Sequence, residues 1–140
     1  MTISKKPVIL VVDGQGGKIG KELCSQLIER FPETEVWAIG TNSMATSFML
    51  KAKPHQAATG ENPVVVASRE ADIICGPIGI CIADSMLGEV TPTMALAISQ
   101  SRAKKILIPF NKCSAVVAGV KESTISELVE DALRIVEMNL

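Results

Sequence analysis

Residues 7–20, Pro7-Val-Ile-Leu-Val-Val-Asp-Gly-Gln-Gly-Gly-Lys-Ile-Gly20, decide the fold. The apolar run Pro7–Val12 is rich in Val and Ile, which predicts a strand buried on both faces, as in a parallel sheet. Behind the glycines, apolar residues recur at helical spacing from Ile19 to Phe31, and Pro32 ends this predicted helix. A buried strand, a tight glycine turn and a helix in this order predict an α/β domain with a mostly parallel sheet.

Strand and helix signals alternate along the rest of the chain. The further strands are predicted at Glu35–Ile39, Pro63–Ala67, Asp72–Cys75 and Lys105–Pro109, with Ala115–Val120 as a candidate for an antiparallel edge strand. Helices are predicted at Ser43–Ala52, with Met44, Phe48 and Met49 inward, at Pro92–Gln100 behind the cap Thr91, and after Thr124, where Glu127 completes a capping box. Turns are predicted at Gly76–Gly79 and Asn111–Ser114, while Ile80–Leu87 reads equally as helix or extended chain. We therefore expect residues 1–140 to form a single three-layer Rossmann-like domain that binds a nucleotide.

Composition excludes several classes of function. The 140 residues are 47% hydrophobic and carry a net charge of −1, which suits one globular domain and disfavours broad electrostatic binding to nucleic acid or anionic lipid. The longest uncharged apolar stretch, Ile73–Ala83, is interrupted by glycine and proline and is too short to span a membrane. The apolar run that ends at Val12 is also too short for a signal peptide, so we expect a cytoplasmic protein.

The glycine spacing in the first turn is the feature with chemical content. Gly14, Gly17 and Gly20 fit a GxxGxxG pattern. In a dinucleotide-binding turn the first glycine permits the sharp bend, the second lets the backbone approach a pyrophosphate, and the third lets the helix pack on the strand. Free N–H groups near Lys18–Gly20 would then bind the phosphates at the helix N-terminus, with the Lys18 ammonium nearby.

Two competing motifs fail on inspection. The GxGxxG form needs glycine at position 19, where Ile19 stands, and the GxxxxGK[ST] phosphate loop needs glycine at 15 and a hydroxyl residue at 22, where Gln15 and Glu22 stand. The GxxGxxG form resembles the fingerprint of extended short-chain dehydrogenase-like Rossmann proteins. Those enzymes use a catalytic Tyr with a Lys four residues on, and this chain contains no Tyr, so the resemblance does not carry that mechanism. The alternative to phosphate binding is a glycine turn that only allows the helix to pack tightly on the strand.

The second strand lacks the acidic residue that usually binds the ribose of NAD. Thr41, Asn42 and Ser43 follow it instead, and no Arg stands there for a 2′-phosphate. Their side chains are competent to bind a ribose or phosphate, but we expect them chiefly to cap the next helix, and one residue can do both. The choice between NAD and NADP therefore stays open.

Other polar and reactive residues have plainer interpretations. Gly76, Pro77 and Gly79 fall at the carboxyl edge of the predicted sheet and are candidates to contact a cofactor. We expect Glu61, Asp84 and Glu89 to be surface carboxylates, and His55 to be an exposed loop histidine. The four cysteines, at positions 24, 75, 81 and 113, form no CxxC pair, so we expect reduced thiols, mostly buried, and no metal site.

Several segments together resemble a known family. They are Asp13–Gly20, Gly40–Asn42, Ala58–Asn62, Gly76–Gly79, Ser85–Glu89, Ile106–Pro109 and Asn111–Cys113. On these the chain is similar, over nearly its whole length, to the uncharacterised bacterial domain-of-unknown-function family 3842. The resemblance implies a small, soluble bacterial protein and assigns it no activity.

Our first hypothesis is a protein that binds NAD(P) or a related nucleotide on the Gly14–Gly20 loop, as an enzyme of the oxidoreductase kind or as a sensor. The alternatives are a non-catalytic sensor or protein-interaction module whose glycine loop is empty, and a flavin-binding protein. A domain this small encloses little substrate, so we expect a homodimer. Any substrate pocket would be lined by Gly76–Gly79, Asn42 and residues near Asp84–Glu89. The candidate cofactor-binding residues are Asp13, Gly14, Gln15, Gly16, Gly17, Lys18, Ile19, Gly20, Thr41, Asn42, Gly76, Pro77 and Gly79.

Overall fold

The structure, a computed structural model, describes residues 5–110 and 115–140. The strands are β1 Val8–Asp13, β2 Glu35–Gly40, β3 Gln56–Thr59, β4 Ile73–Pro77 and β5 Lys104–Ile108. The α-helices are α1 Lys18–Arg30, α2 Ser43–Leu50, α3 Glu61–Glu70, α4 Pro92–Gln100 and α5 Ile125–Met138, and Ile78–Cys81 form a 3-10 turn after β4. The predicted turn at Asn111–Ser114 and the cysteine at position 113 lie outside the described residues.

The five strands form one parallel sheet in the order β3-β2-β1-β4-β5. Successive side chains of β1 enter opposite layers, which is why its sequence is apolar from Val8 to Val12. Ile9 and Val11 pack in the layer of α1, α2 and α5, whereas Leu10 and Val12 pack in the layer of α3 and α4. The expected three-layer α/β fold with a parallel sheet is therefore confirmed.

The strand order reverses beside β1. The chain runs outward from β1 to β2 and β3, then returns to place β4 on the other side of β1. Loops that leave the carboxyl ends of β1 and β4 consequently diverge to opposite faces of the sheet and open a crevice between them, which is where open α/β sheets bind ligands.

In the middle of the chain one sequence prediction is wrong and one strand was not predicted. Pro63–Ala67 was predicted to be a strand from its valines, but it belongs to helix α3, where Val64 is buried and Val66 is 47% exposed. Pro63 fits there because it lies in the first helical turn, where an N–H has no helical partner. Strand β3, with the sequence Gln-Ala-Ala-Thr, gave no strand signal because it is a largely exposed edge strand, held to β2 by backbone pairing.

Three further details differ from the sequence predictions, and the two predicted helix caps agree with them. Ala115–Val120 is not a strand, and Gly76 and Pro77 end β4 instead of forming a turn. Met44 is 70% exposed, because α2 turns Ala45, Thr46 and Met49 to the sheet. The caps at Thr91 and Thr124 are confirmed, the latter with its capping box to Glu127.

No helix in the described ranges has the length and hydropathy needed to cross a membrane.

Gly76 lets β4 pack against β1 at a point where there is no room for a side chain. A Cβ on Gly76 would lie 2.3 Å from the backbone oxygen of Val12, whereas a Cβ on Gly16 would meet nothing within 4 Å. We expect Gly76→Ala to lower the free energy of unfolding by about 3 kcal/mol or more, since two backbones cannot yield as a side chain does. Gly16→Ala is the matched control and should stay within about 0.5 kcal/mol of wild type. Chemical denaturation measures both, and a Gly76→Ala protein as stable as wild type would contradict the packing described.

Candidate functional site

A cavity of about 230 Å³ opens at the point where the strand order reverses. The β1–α1 loop forms one wall and the end of β4 forms another. Its lining residues are Asp13, Gly14, Gln15, Gly16, Gly17, Lys18, Ile19, Pro77, Gly79, Met86, Phe110 and Ile125. Nine of the residues singled out in the sequence thus line one cavity: Asp13–Ile19, Pro77 and Gly79.

The carboxylate of Asp13 organises the loop at the base of this cavity. It accepts hydrogen bonds from the backbone N–H of Gly14 (2.8 Å) and of Gly20 (2.7 Å), and so connects the end of β1 to the first turn of α1. Asp13 is only 4% exposed. Burial raises its pKa to about 6, against the effect of the two N–H donors, and the nearby Glu89 charge raises the pKa further.

The glycines of the loop have different roles. A Cβ on Gly14 would meet the side chains of Met86 and Thr41, and one on Gly17, whose φ is 75°, would meet the backbone of Ala45. A Cβ on Gly20 would lie 2.7 Å from the Cβ of Asp13 in β1 and would also meet Met49 of α2, which confirms that this glycine lets α1 pack closely on the sheet. Gly17 was expected to let the backbone approach a pyrophosphate, but packing of α2 already requires a glycine there.

Gly16 is the exception among these glycines. It is exposed, it lines the cavity, and it has neither a positive φ nor a protein atom within 4 Å of the position of a Cβ. The fold of the described residues therefore does not require glycine at position 16. A close approach of a ligand to the backbone would require one.

Three backbone N–H groups beside the cavity have no hydrogen-bond partner in the described part of the chain: those of Gly16, Lys18 and Ile19. Lys18 and Ile19 are the first two residues of the 13-residue helix α1, and Gly17, its cap, offers no side chain to them. Unpaired N–H groups at a helix N-terminus attract anions.

The residues that follow β2 bind an acidic side chain of the chain itself. One oxygen of Glu89, Oε1, accepts hydrogen bonds from the Gln15 N–H (2.8 Å), the Thr41 hydroxyl (2.8 Å) and the Asn42 amide (2.7 Å). Asn42 also caps α2 by accepting from the Ala45 N–H, which confirms its predicted capping role. Partial burial raises the pKa of Glu89, but the three donors outweigh it and hold the pKa below its usual value.

Glu89 belongs to a compact loop, residues 82–90, that covers the glycine turn. The Ser85 hydroxyl donates to the Gly79 oxygen, and the Asp84 N–H donates to the Val90 oxygen. Asp84, Met86 and Leu87 all have φ values between 57° and 65°, which L-residues rarely adopt. Such strain persists only where the surrounding structure imposes it.

Some predicted site residues lie apart from the cavity. Gly20 and Gly76 are buried packing positions, and Thr41 and Asn42 contact Glu89 at the neighbouring strand end. The interpretation of Glu89 as a plain surface carboxylate is wrong, because it is partly buried and bonded to two other loops. Met86 lies within Asp84–Glu89, the segment expected to line a substrate pocket, and it lines the cavity. Phe110 and Ile125 also line the cavity but were not predicted, because the glycine pattern gives no signal for them.

The remaining candidates keep their plain interpretations. His55 is exposed, and its Nδ1 accepts from the Val36 N–H. Cys24 and Cys75 are free and buried, and burial raises the pKa of each to about 12, so neither is a ready nucleophile.

Comparisons with known proteins give a family and no ligand. The model of a domain family of unknown function, DUF3842, matches residues 8–140. No curated protein sequence matches the chain.

Two solved structures show the level of structural similarity. A dodecameric FMN-dependent Ubix-like decarboxylase from Escherichia coli O157:H7 aligns at 13% identity and a TM-score of 0.42, over 93% of this chain and 92% of its own. A nucleoside-diphosphate-sugar epimerase from Pseudomonas aeruginosa aligns at 15% identity and a TM-score of 0.45, over 94% of this chain and 46% of its own, so this chain spans about half its length. Likeness at this level carries no argument about activity.

The Asp13 carboxyl makes the stability of the protein depend on pH. In the folded protein the pKa of the Asp13 carboxyl is about 6, whereas the pKa of an Asp in an unfolded chain is about 3.9. Wild type should therefore lose about 2–3 kcal/mol of stability relative to Asp13→Asn as the pH rises from about 4 to about 6.5. Denaturant unfolding of both proteins across this range measures the difference. A difference that is independent of pH would contradict the raised pKa.

Proposed function

This chain belongs to the domain-of-unknown-function family 3842, as its motifs indicated, and we propose that it binds a nucleotide diphosphate, NAD(P) or a related dinucleotide, in the cavity beside the Gly14–Gly20 loop. We base this proposal on Gly16, a glycine that the packing of the described residues does not require. Three glycines of the turn are explained by the protein's own packing, and Gly16 is not. It lies at the mouth of a cavity where α/β sheets bind ligands, and close backbone approach is the reason left for a glycine there.

The chemistry of the loop suits a diphosphate. The N–H groups of Gly16, Lys18 and Ile19 are unpaired within the described residues, and Lys18 adds a positive charge at the same wall. The carboxyl of Asp13 lies below the loop, but both of its oxygens already accept backbone N–H groups. A bound phosphate would favour the protonated form of Asp13, so binding should strengthen as the pH falls toward 6.

The size of the cavity limits which part of a dinucleotide lies inside it. Pockets for whole drug-sized ligands usually measure roughly 300–1,000 Å³, against about 230 Å³ here. Pro77, Met86, Phe110 and Ile125 supply the apolar part of the cavity lining. We place the diphosphate and part of a flat ring in the cavity, and the adenosine outside it, over the ends of β1 and β2.

Binding is a better-supported function than catalysis by this chain alone. Among the described residues that line the cavity, Asp13 and Lys18 are the ionisable ones, and Asp13 is engaged in holding the turn. A sensor or a cofactor-binding subunit needs no more than this. If the protein is also an enzyme, the missing groups come from a second copy in a cytoplasmic homodimer.

A flavin is the second candidate ligand. The apolar part of the cavity lining, which includes Met86, Phe110 and Ile125, suits an isoalloxazine ring as well as a nicotinamide. The two differ in a simple observable, because a bound flavin colours the purified protein yellow.

Lys18 offers the sharpest test of the anion site, because Lys21 is a matched control one turn along the same helix. We expect Lys18→Gln to weaken NAD binding about tenfold, which is the loss of one charge-assisted hydrogen bond of about 1.4 kcal/mol. Lys21→Gln removes the same charge away from the cavity and should leave the affinity within about twofold. Isothermal titration calorimetry with NAD, NADP, FMN, FAD and ADP measures both.

Gly16→Ala provides an independent test of the same site. The variant should keep the melting temperature of wild type and bind the nucleotide at least tenfold more weakly, since a methyl group there takes the space of the phosphate. Equal weakening by both lysine variants, undiminished binding by Gly16→Ala, or no binding of any of the five ligands would contradict the proposed function.

A further inference from the structure

The strand end that should supply an acid for the ribose has none, and the structure brings an acid to that place from elsewhere. Thr41, Asn42 and Ser43 follow β2 and are all neutral. Glu89, 48 residues beyond Thr41, lies between the loops that leave β1 and β2. In dinucleotide-binding folds an acidic side chain in this region accepts the ribose hydroxyls.

We propose that Glu89 is the residue that binds the adenosine ribose diol, and that it makes the site select a nucleotide with a free 2′-hydroxyl over one with a 2′-phosphate. This inference rests on the proposed function, because it assigns one part of the same nucleotide. The glycine loop holds the diphosphate, and Glu89 determines which ribose is accepted beside it.

The hydrogen bonds of Glu89 leave half of its carboxylate available. Oε1 accepts all three donors, from Gln15, Thr41 and Asn42. Oε2 accepts none within residues 5–110 and 115–140, and the side chain is only partly buried. A carboxylate is an acceptor without a proton of its own, so a ribose hydroxyl is a suitable partner for Oε2. A 2′-phosphate brings no donor and repels the carboxylate.

The loop that carries Glu89 is built to hold it in place. Met86 packs over Gly14 so closely that a Cβ on Gly14 would lie 2.5 Å from its sulfur. Ser85 anchors the loop to Gly79, at the end of β4. Asp84, Met86 and Leu87 adopt left-handed backbone conformations, and strain of this kind is characteristic of sites whose geometry serves a function.

A different role for Glu89 makes the opposite prediction. If its carboxylate merely fills an anion site made by Gln15, Thr41 and Asn42, a ligand phosphate must displace it, and removing its charge would tighten binding. If it accepts the ribose, removing its charge weakens binding of the diol nucleotide. The sign of the change separates the two roles.

The variant Glu89→Gln tests this without removing the side chain, because its Oε1 still accepts the three donors. Asp84→Asn is the matched control: it removes one negative charge from an exposed residue of the same loop, and Asn tolerates the left-handed conformation at φ 65°. Calorimetric titrations use NAD, NADP, ADP and 2′-deoxy-ADP on wild type and both variants. Melting temperatures verify that each is folded.

We expect wild type to bind NAD at least tenfold more tightly than NADP, and ADP about tenfold more tightly than 2′-deoxy-ADP. In Glu89→Gln both ratios should fall toward one, through weaker NAD and ADP and unchanged or tighter NADP. Asp84→Asn should keep both ratios within about twofold of wild type.

Three results would overturn the inference: ratios unchanged in Glu89→Gln, tighter binding of all four ligands by that variant, or selective binding of FMN, which has no adenosine ribose. Failure of the proposed function is distinguishable, because wild type would then bind none of the nucleotides or Lys18→Gln would bind them as wild type does. If Lys18→Gln weakens binding while Glu89→Gln leaves the ratios unchanged, the diphosphate site is supported and the proposed role of Glu89 is wrong.

Discussion

The Asp13 carboxylate, buried where β1 ends, fixes the turn on which the candidate site depends. Its two oxygens accept the N–H groups of Gly14 and Gly20, so the chain leaves the strand and enters α1 in one defined geometry. Burying a carboxylate costs free energy, and here two backbone donors offset part of that cost while the pKa rises to about 6. These bonds use the N–H of Gly14 and Gly20, Glu89 binds that of Gln15, and the Gly14 carbonyl binds that of Gly17. Within the described residues, the N–H groups of Gly16, Lys18 and Ile19 are therefore the ones left for a ligand.

A second constraint comes from residues far apart in the sequence. Glu89 contacts Gln15, 74 residues before it, and joins the loops after β1 and β2 through one oxygen atom. The parallel sheet makes this possible, because it gathers the carboxyl ends of β1, β2 and β4 at one edge. The strained loop at residues 82–90 then spans the distance from β4 to β2 over Gly14. The structure thus combines a neutral second strand end with an acid delivered by another loop.

Much of this architecture could be predicted from the sequence, for reasons that are local. The apolar run of β1, the helical spacing of α1 and the caps of α4 and α5 each express a periodicity or a capping pattern that is complete within about fifteen residues. The errors also have local causes. Three adjacent valines in α3 imitated a strand, and β3 is held by backbone pairing at an edge, which leaves no apolar alternation to detect.

The site was predictable only where it is made of consecutive residues. The spacing of Gly14, Gly17 and Gly20 located the turn, but the distinction between packing glycines and the unconstrained Gly16 depends on Ala45 and Met49 of α2, which no spacing rule reveals. Glu89 was assigned to the surface because its partners lie in other loops. Backbone conformations such as those of Met86 and Leu87 have no periodic signature in the sequence.

Amide NMR during a titration with NAD shows residue by residue whether a nucleotide diphosphate binds the N–H groups of the glycine loop that have no partner among the described residues. We predict the largest saturable shifts at the amides of Gly16, Lys18 and Ile19, with smaller ones at Gly14 and Gly20, which Asp13 already binds. Shifts that are absent from these three amides, or that are largest around the separate cavity at Arg30 and Glu130, would show that the glycine loop does not bind the diphosphate.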